Sequence, residues 1–119
     1  MDKIVINGKL AGLNEYISAI NDNRYIGNKL KQDVTTMCAL AFRAQCRKKF
    51  EKISVIFKWF EPDKRRDKDN IASAKKFIFD GMQKAGVIDN DNWAYIKGFS
   101  DEFYIDKLNP RVEVLIYEE

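Results

Sequence analysis

The chain has 119 residues, 45% hydrophobic and 33% charged, with six Gly and two Pro; this is the profile of one ordinary globular domain, not of a disordered or fibrous chain. Net charge is +3, yet residues 1–60 hold 11 Lys+Arg against 5 Asp+Glu while residues 61–119 hold 10 against 13, setting a polyanion-facing half against an acidic one. Histidine is absent, which excludes Ser-His-Asp and Cys-His nucleophile systems, His-ligated zinc and imidazole acid-base catalysis, and leaves carboxylates, amines and hard metal ions.

The opening MDKIVINGKL lacks the basic-then-apolar pattern of a signal segment, and no apolar run approaches the ~18 residues of a membrane span. A cytoplasmic protein without a membrane partner is expected. KIVIN (Lys3–Asn7) reads as a first strand ended by the Asn7-Gly8 turn. A helix follows around Leu13–Ile20, then the polar stretch NDNRYIGNK, then a longer helix from Leu30 to Phe50 in which Val34, Met37, Leu40, Ala41 and Ala44 recur at helical spacing. Arg47, Lys48 and Lys49 in its last turn suit the negative end of the helix dipole, and equally a phosphate. Cys38 and Cys46 stand too far apart on that helix to meet, and read as buried small apolar residues.

ISVIFKWF (Ile53–Phe60) is β-branched and aromatic on both faces, as a largely buried central strand requires. DKRRDKDN (Asp63–Asn70) leaves its end. From Ile71 to Ala85 the residues Ile71, Ala74, Ile78, Met82 and Ala85 form one helical stripe with Gly86 as C-cap. Trp93–Phe99 and Phe103–Asp106 follow as a broken pair or one bent strand, then Arg111–Tyr117 after the turn KLNP. The order β-α-α-β-α-β-β describes a single α+β domain over residues 1–119, with a small mixed sheet against helices.

The chemistry concentrates around DKRRDKDN. In an extended segment Asp67 and Asp69 point the same way as a carboxylate pair, while Asn70 or Asp69 is placed to cap the helix starting at Ile71. Asp69, Ser73, Lys76 and Asp80 are spaced to line one polar helix face. A solvated face with a Lys76–Asp80 pair is the plain explanation. A second acidic knot, VIDNDNW, brings Asp89 and Asp91, which turn formation alone also explains. Convergent at one end of the sheet, these carboxylates with a lysine suit Mg²⁺, which takes oxygen ligands from one or two carboxylates, phosphate and water. That set suits phosphodiester hydrolysis, with Lys64, Arg65, Arg66 and Lys68 drawing nucleic-acid phosphate toward an otherwise repulsive site.

PDKRRDKDN (Pro62–Asn70), KKFIFDGM (Lys75–Met82) and GVIDNDN (Gly86–Asn92) together resemble the RusA Holliday-junction resolvases of bacteria and their prophages. The likeness covers about residues 59–96. It implies a homodimeric, Mg²⁺-dependent endonuclease of DNA recombination and repair, with Mn²⁺ as a substitute, that nicks opposing strands of a four-way junction and uses no small-molecule cofactor. By motif position it implies Asp67, Asp69 and Asp91 as metal-binding catalytic carboxylates and Lys76 as the catalytic lysine, with Asp80 ranked second. The pattern departs where the family's lysine would fall: that position is Ser73, and Lys75 and Lys76 come later, with Lys76 sharing the Ser73 face one turn along.

Two other readings stand beside this one. A non-catalytic, structure-selective DNA-binding module predicts salt-sensitive binding without metal dependence, and a Mg²⁺-dependent phosphohydrolase of nucleotides predicts a monomer with a small pocket. The basic residues Arg24, Lys29, Lys31, Arg43 and Arg47 are further candidates for DNA contact. For Tyr25 and Trp93 packing is expected ahead of base stacking.

Overall fold

In ISVIFKWFE every second side chain is large and apolar until the last. The backbone follows that period: β2 (Ile53–Glu61) buries Ile53, Val55, Phe57, Trp59 and Glu61 on one face and leaves the residues between them half-covered. The computed structural model describes residues 1–119. Around β2 stand β1 (Asp2–Asn7), β3 (Ile96–Ile105) and β4 (Arg111–Glu118) in the order β1-β4-β2-β3. β2 pairs with β3 in parallel and with β4 antiparallel, so the sheet is mixed. A parallel pair needs a crossover, and α3 (Lys68–Ala72) with α4 (Lys75–Ala85) supplies it. α1 (Leu13–Asp22) and α2 (Arg24–Gln45) bridge β1 to β2.

The helices cover one sheet face. Register places Ile4, Val114 and Phe57 in a single row beneath them, and all three belong to a continuous core of 23 buried residues. Phe79 of α4 meets Phe57 edge-on at 5.5 Å. Gly81 of α4 approaches α2 so closely that a Cβ there would lie 2.6 Å from Cys38 Cβ. Cys38 and Cys46 are free and buried, and burial pushes the Cys38 thiol up to about 12. At the sheet edge the Gln45 amide pairs with both backbone groups of Val5 at 2.8 Å, closing an otherwise open strand.

The α+β class and element order agree with the sequence reading, and three boundaries differ. α2 begins at Arg24, not Leu30, because the Asn23 side chain accepts the Tyr25 N–H at 2.7 Å and starts the helix inside the polar stretch. It ends at Gln45, so Arg47, Lys48 and Lys49 lie in the link beyond it, where the Phe50 N–H donates to the Val87 carbonyl. The helix expected over Ile71–Ala85 starts earlier and breaks at Ser73-Ala74. There the Ser73 hydroxyl donates to the Asn70 carbonyl and tightens the turn. β3 is one strand of 10 residues, with Trp93 in the turn before it. No helix is long and apolar enough to cross a membrane.

Candidate active site at the exit of the central strand

The site begins where β2 stops. Glu61 ends the strand on the buried face and is 6% exposed, and a carboxylate there needs a partner. Arg66 provides it: Nε and Nη2 donate to the two Glu61 oxygens at 3.1 and 2.9 Å, and Nη1 donates to Glu15 and to the Leu10 carbonyl. Burial lowers the Arg66 guanidinium, but its bonds to Glu61 and Glu15 outweigh that and hold it above its ordinary range. Burial likewise raises Glu15, and bonds from Asn70 and Arg66 overcome it, leaving the carboxyl below its ordinary value. Arg66 was expected to hold nucleic-acid phosphate; four of its five N–H donors go to two glutamates and a carbonyl, so its main role in the fold is to brace the loop.

Asn70 is also reassigned. Helix α3 starts at Lys68 behind Asp67, so neither Asn70 nor Asp69 is its N-cap, and Asp67 makes no side-chain capping bond. Asn70 is buried inside the helix and serves α1: its Oδ1 accepts the Asn14 N–H at 2.9 Å and its Nδ2 donates to Glu15 at 2.9 Å. Ser73 Oγ accepts the Leu13 N–H at 2.7 Å. Gly12, the N-cap of α1, has no side chain to offer, and a Cβ there would sit 2.2 Å from the Asn70 carbonyl oxygen. Two orphan donors of α1 are thus satisfied from α3.

With Arg66, Asn70 and Ser73 turned toward α1, the aspartates between them face out. Asp67 and Asp69 are both exposed. Their common outward face does not come from strand alternation, since Asp67 is extended and Asp69 lies in the first turn of α3; it comes from a brace that consumes the flanking residues Arg66 and Asn70. Asp69 Oδ1 accepts the N–H of Asn70, leaving its other oxygen free for a ligand.

Two clefts meet at Asp69. One, of about 660 Å³, is lined by Asp67, Asp69, Lys64 and Lys68 on the loop side and by Phe103, Tyr104 and Ile105 of β3 on the other. It lies past the carboxyl ends of the parallel pair β2 and β3, where open α/β sheets commonly take ligands. The second, of about 510 Å³, runs from Asp69 past Ser73 and Lys76 to Asp91 and Phe99. Asp91 belongs to the opposite end of the sheet by chain order, since Ile96 pairs with Ile53. The loop folds back along α4, so the acidic groups gather on the helix flank rather than at one sheet end.

Lys76 joins them, with Nζ 3.1 Å from Asp80 and 3.3 Å from Asp91. Partial burial lowers its ammonium, but the bonds to Asp80 and Asp91 prevail and keep it above the ordinary lysine range. Lys75 lines the same second cleft on its Phe99 side: its Nζ pairs with Asp101, which also accepts the Trp59 indole N–H at 2.8 Å, and lies 4.3 Å from the Phe99 ring centre. No three carboxylates or thiols stand together as a ready-made metal cage. Asp67 and Asp69 share a cleft, whereas Asp91 is held by Lys76.

Of the basic run, Lys64, Arg65 and Lys68 are exposed; Lys64 and Lys68 line the first cleft, with Lys68 Nζ 5.6 Å from the Phe103 ring centre. Asp63 accepts the Arg65 N–H at 3.0 Å, the turn role expected of it. Tyr25 and Trp93, expected to pack, are 74% and 95% exposed. The sequence reading passed over Glu61, Glu15 and Asp101. Glu61 had a legible signal: it continues the buried register of β2 and so called for a cation a few residues on. The chain matches no family model, and none of the curated proteins matches it.

Proposed function

We propose that this chain is a metal-dependent endonuclease of branched DNA, acting on four-way junctions in the manner of the RusA resolvases. The observation that carries the reading is the division of DKRRDKDN: Arg66 and Asn70 are spent on bracing, which leaves Asp67 and Asp69 exposed on one cleft that Lys64 and Lys68 also line, with Arg65 exposed next to Lys64 in the chain. Exposed carboxylate oxygens are the donors that Mg²⁺ takes, and one or two carboxylates completed by phosphate and water suffice for it. Asp67 and Asp69 are therefore the residues that would hold the ion; Asp91 joins only after leaving Lys76. Such an ion supplies Lewis-acid stabilisation and an activated water.

The protein's own side chains account for the rest. Lys64, Arg65 and Lys68 attract the phosphate backbone against the negative charge of the aspartates. Lys76, released from Asp91 as a phosphate enters the second cleft, neutralises charge that develops on a departing oxygen. The helix flank fixes its position, because Asp80 one turn on continues to hold it. Cutting two opposed strands calls for a second copy of the chain, so the active form in this reading is a homodimer.

The test is cleavage of a synthetic four-way junction with Mg²⁺, with Mn²⁺ and with EDTA. Paired nicks that appear only with metal are expected; the absence of metal-dependent nicking on any branched substrate would end the proposal. The Lys76–Asp91 contact and the lack of a three-carboxylate cage favour a second reading, a DNA-binding module without turnover. It predicts junction binding that falls with salt and is indifferent to metal.

A further inference from the structure

Trp93 is 95% exposed, while the chain's other tryptophan, Trp59, is 1% exposed. The indole stands out on a loop that is itself well ordered by its own bonds. Asn90 Oδ1 accepts the N–H groups of Asp91 and Asn92 at 2.7 and 3.2 Å. Asn92 Oδ1 accepts that of Ala94 at 2.9 Å, and the Asn92 carbonyl accepts those of Tyr95 and Ile96. Val87 and Ile88 anchor the incoming chain in the core, Asp89 pairs with Lys49 at 2.8 Å, and Asp91 pairs with Lys76. Three hydrogen bonds to two asparagine side chains hold the backbone, and none of them uses the indole.

A single exposed apolar side chain is ordinary, and contiguous patches are what mark protein contacts; Trp93 differs in being a wide flat ring on a fixed support. A protein-docking patch would be contiguous and apolar, yet the loop neighbours are Asn90, Asn92 and Ala94, all exposed. What suits one isolated ring is a ligand with a flat π face. The charge nearby selects further: Arg47, Lys48 and Lys49 are exposed, the two lysines in solvent-exposed pairs with Asp2 and Asp89, and the Phe50–Val87 backbone bond brings their segment beside the start of this loop. An aromatic platform next to a basic stretch is the pattern for unstacked nucleobases and their phosphates.

We infer that Trp93 stacks on an unpaired base of the DNA substrate and thereby selects branched or single-stranded DNA over continuous duplex; this rests on the reading of the ligand as branched DNA. Trp93 lies two positions from Asp91, at most ~7 Å of extended chain. A base held on the indole therefore lies near the cleft where Asp91 and Lys76 meet. Bases in a closed duplex are already stacked and offer no free face, whereas a branch point does.

Binding is measured in EDTA, so that cleavage plays no part, with three probes: oligo-dT, a synthetic four-way junction and a blunt duplex of equal length. Trp93→Ala is expected to weaken oligo-dT and junction binding about tenfold and duplex binding less than twofold. Trp93→Phe should retain most of the affinity, and oligo-dT should quench an indole emission that Trp93→Phe lacks. Equal weakening on all three probes, no weakening, or no quenching overturns the inference. A chain that binds and quenches but never nicks with Mg²⁺ keeps this inference and loses the endonuclease reading; one that nicks while Trp93→Ala binds as wild type loses only the inference. Failure to bind any of the probes overturns both. Unchanged thermal unfolding of the variants secures the comparison, since Trp93 packs on nothing that holds the fold.

Discussion

Lys76 Nζ lies 3.3 Å from Asp91 Oδ2, joining the flank of α4 to a loop that chain order would place at the far end of the sheet. It is the one direct bond between two of the proposed catalytic groups. The lysine side chain is 64% exposed, and an ion pair in that setting contributes little to stability, about 0–1 kcal/mol. Lys76→Gln should therefore leave the unfolding midpoint nearly unchanged while lowering metal-dependent junction nicking by about 10²-fold or more. Parallel measurement of thermal unfolding and single-turnover nicking checks this, and loss of nicking in step with loss of fold would return Lys76 to a structural role.

Asp69 stands on the wall shared by the two clefts and is exposed. Its stabilising part is limited to favourable charge in the first turn of α3, about 0.3–1 kcal/mol. Asp69→Asn is expected to abolish nicking and to preserve junction binding, or to strengthen it slightly by removing a negative charge from the phosphate path. A mobility-shift titration in EDTA beside a nicking assay in Mg²⁺ separates the two properties. Coincident loss of binding would show that Asp69 shapes the surface rather than serving chemistry on it.

Arg66 and its neighbours should behave in opposite ways. The Arg66 side chain is 12% exposed and its removal strands Glu61, 8% exposed at the side chain. Breaking such a buried pair costs about 3–5 kcal/mol, so Arg66→Met should lower the urea midpoint sharply. Lys64→Ala and Arg65→Ala should scarcely alter that midpoint, yet each should reduce the salt dependence of DNA binding by about one unit of log–log slope. A stable Arg66→Met protein with a diminished salt slope would reverse the assignment.

Glu15 makes the acid limb of stability testable. Burial raises its carboxyl, and the bonds from Asn70 and Arg66 more than reverse that, so its folded value lies below the ordinary 4.5. The folded state therefore binds this proton less readily than the unfolded state. The stabilising contribution is present above pH 4.5 and is lost as pH falls through the folded value. Glu15→Gln should be less stable than wild type at neutral pH and should lose less on acidification, a difference that denaturant unfolding across the acid range will register. Parallel acid limbs would mean that Glu15 ionisation is not coupled to folding.

Gly81 is the point of closest approach between α2 and α4. A Cβ there would lie 2.6 Å from Cys38 Cβ and 3.0 Å from the Ala39 backbone nitrogen. Gly81→Ala, ordinarily favourable inside a helix, should destabilise by about 1–3 kcal/mol as the two helices are forced apart. A chemical-denaturation curve decides it, and a stabilised variant would show that this contact can yield.

Period alone made β2 and its neighbours readable, because β-branched and aromatic residues at every second position admit few other conformations. The same was true of the α+β order. Boundaries set by a single side chain were misread: Asn23 starts α2 inside a polar stretch, and Ser73 breaks what its apolar stripe presented as one helix. In the candidate site, Asp67 and Asp69 were read as a pair pointing the same way, and both line one cleft, but alternation was the wrong cause. Arg66, one more basic residue in DKRRDKDN, turned inward because the buried end of β2 was a glutamate.

By itself, then, the sequence determined the chemistry available: carboxylates and amines without histidine, placed beside one central strand, and a periodicity that commits each segment to helix or strand. Tertiary structure decided which of those charges are spent and which are free. Glu61, Glu15 and the open N-terminus of α1 claim Arg66, Asn70 and Ser73, because buried charges and orphan helix donors must find partners within the fold. What they leave outward, Asp67 and Asp69, Lys64, Arg65 and Lys68, and on its own loop Trp93, is the surface on which the proposed function rests. Such a division depends on contacts across some fifty residues of chain, between α1 and α3, and local pattern carries no record of them.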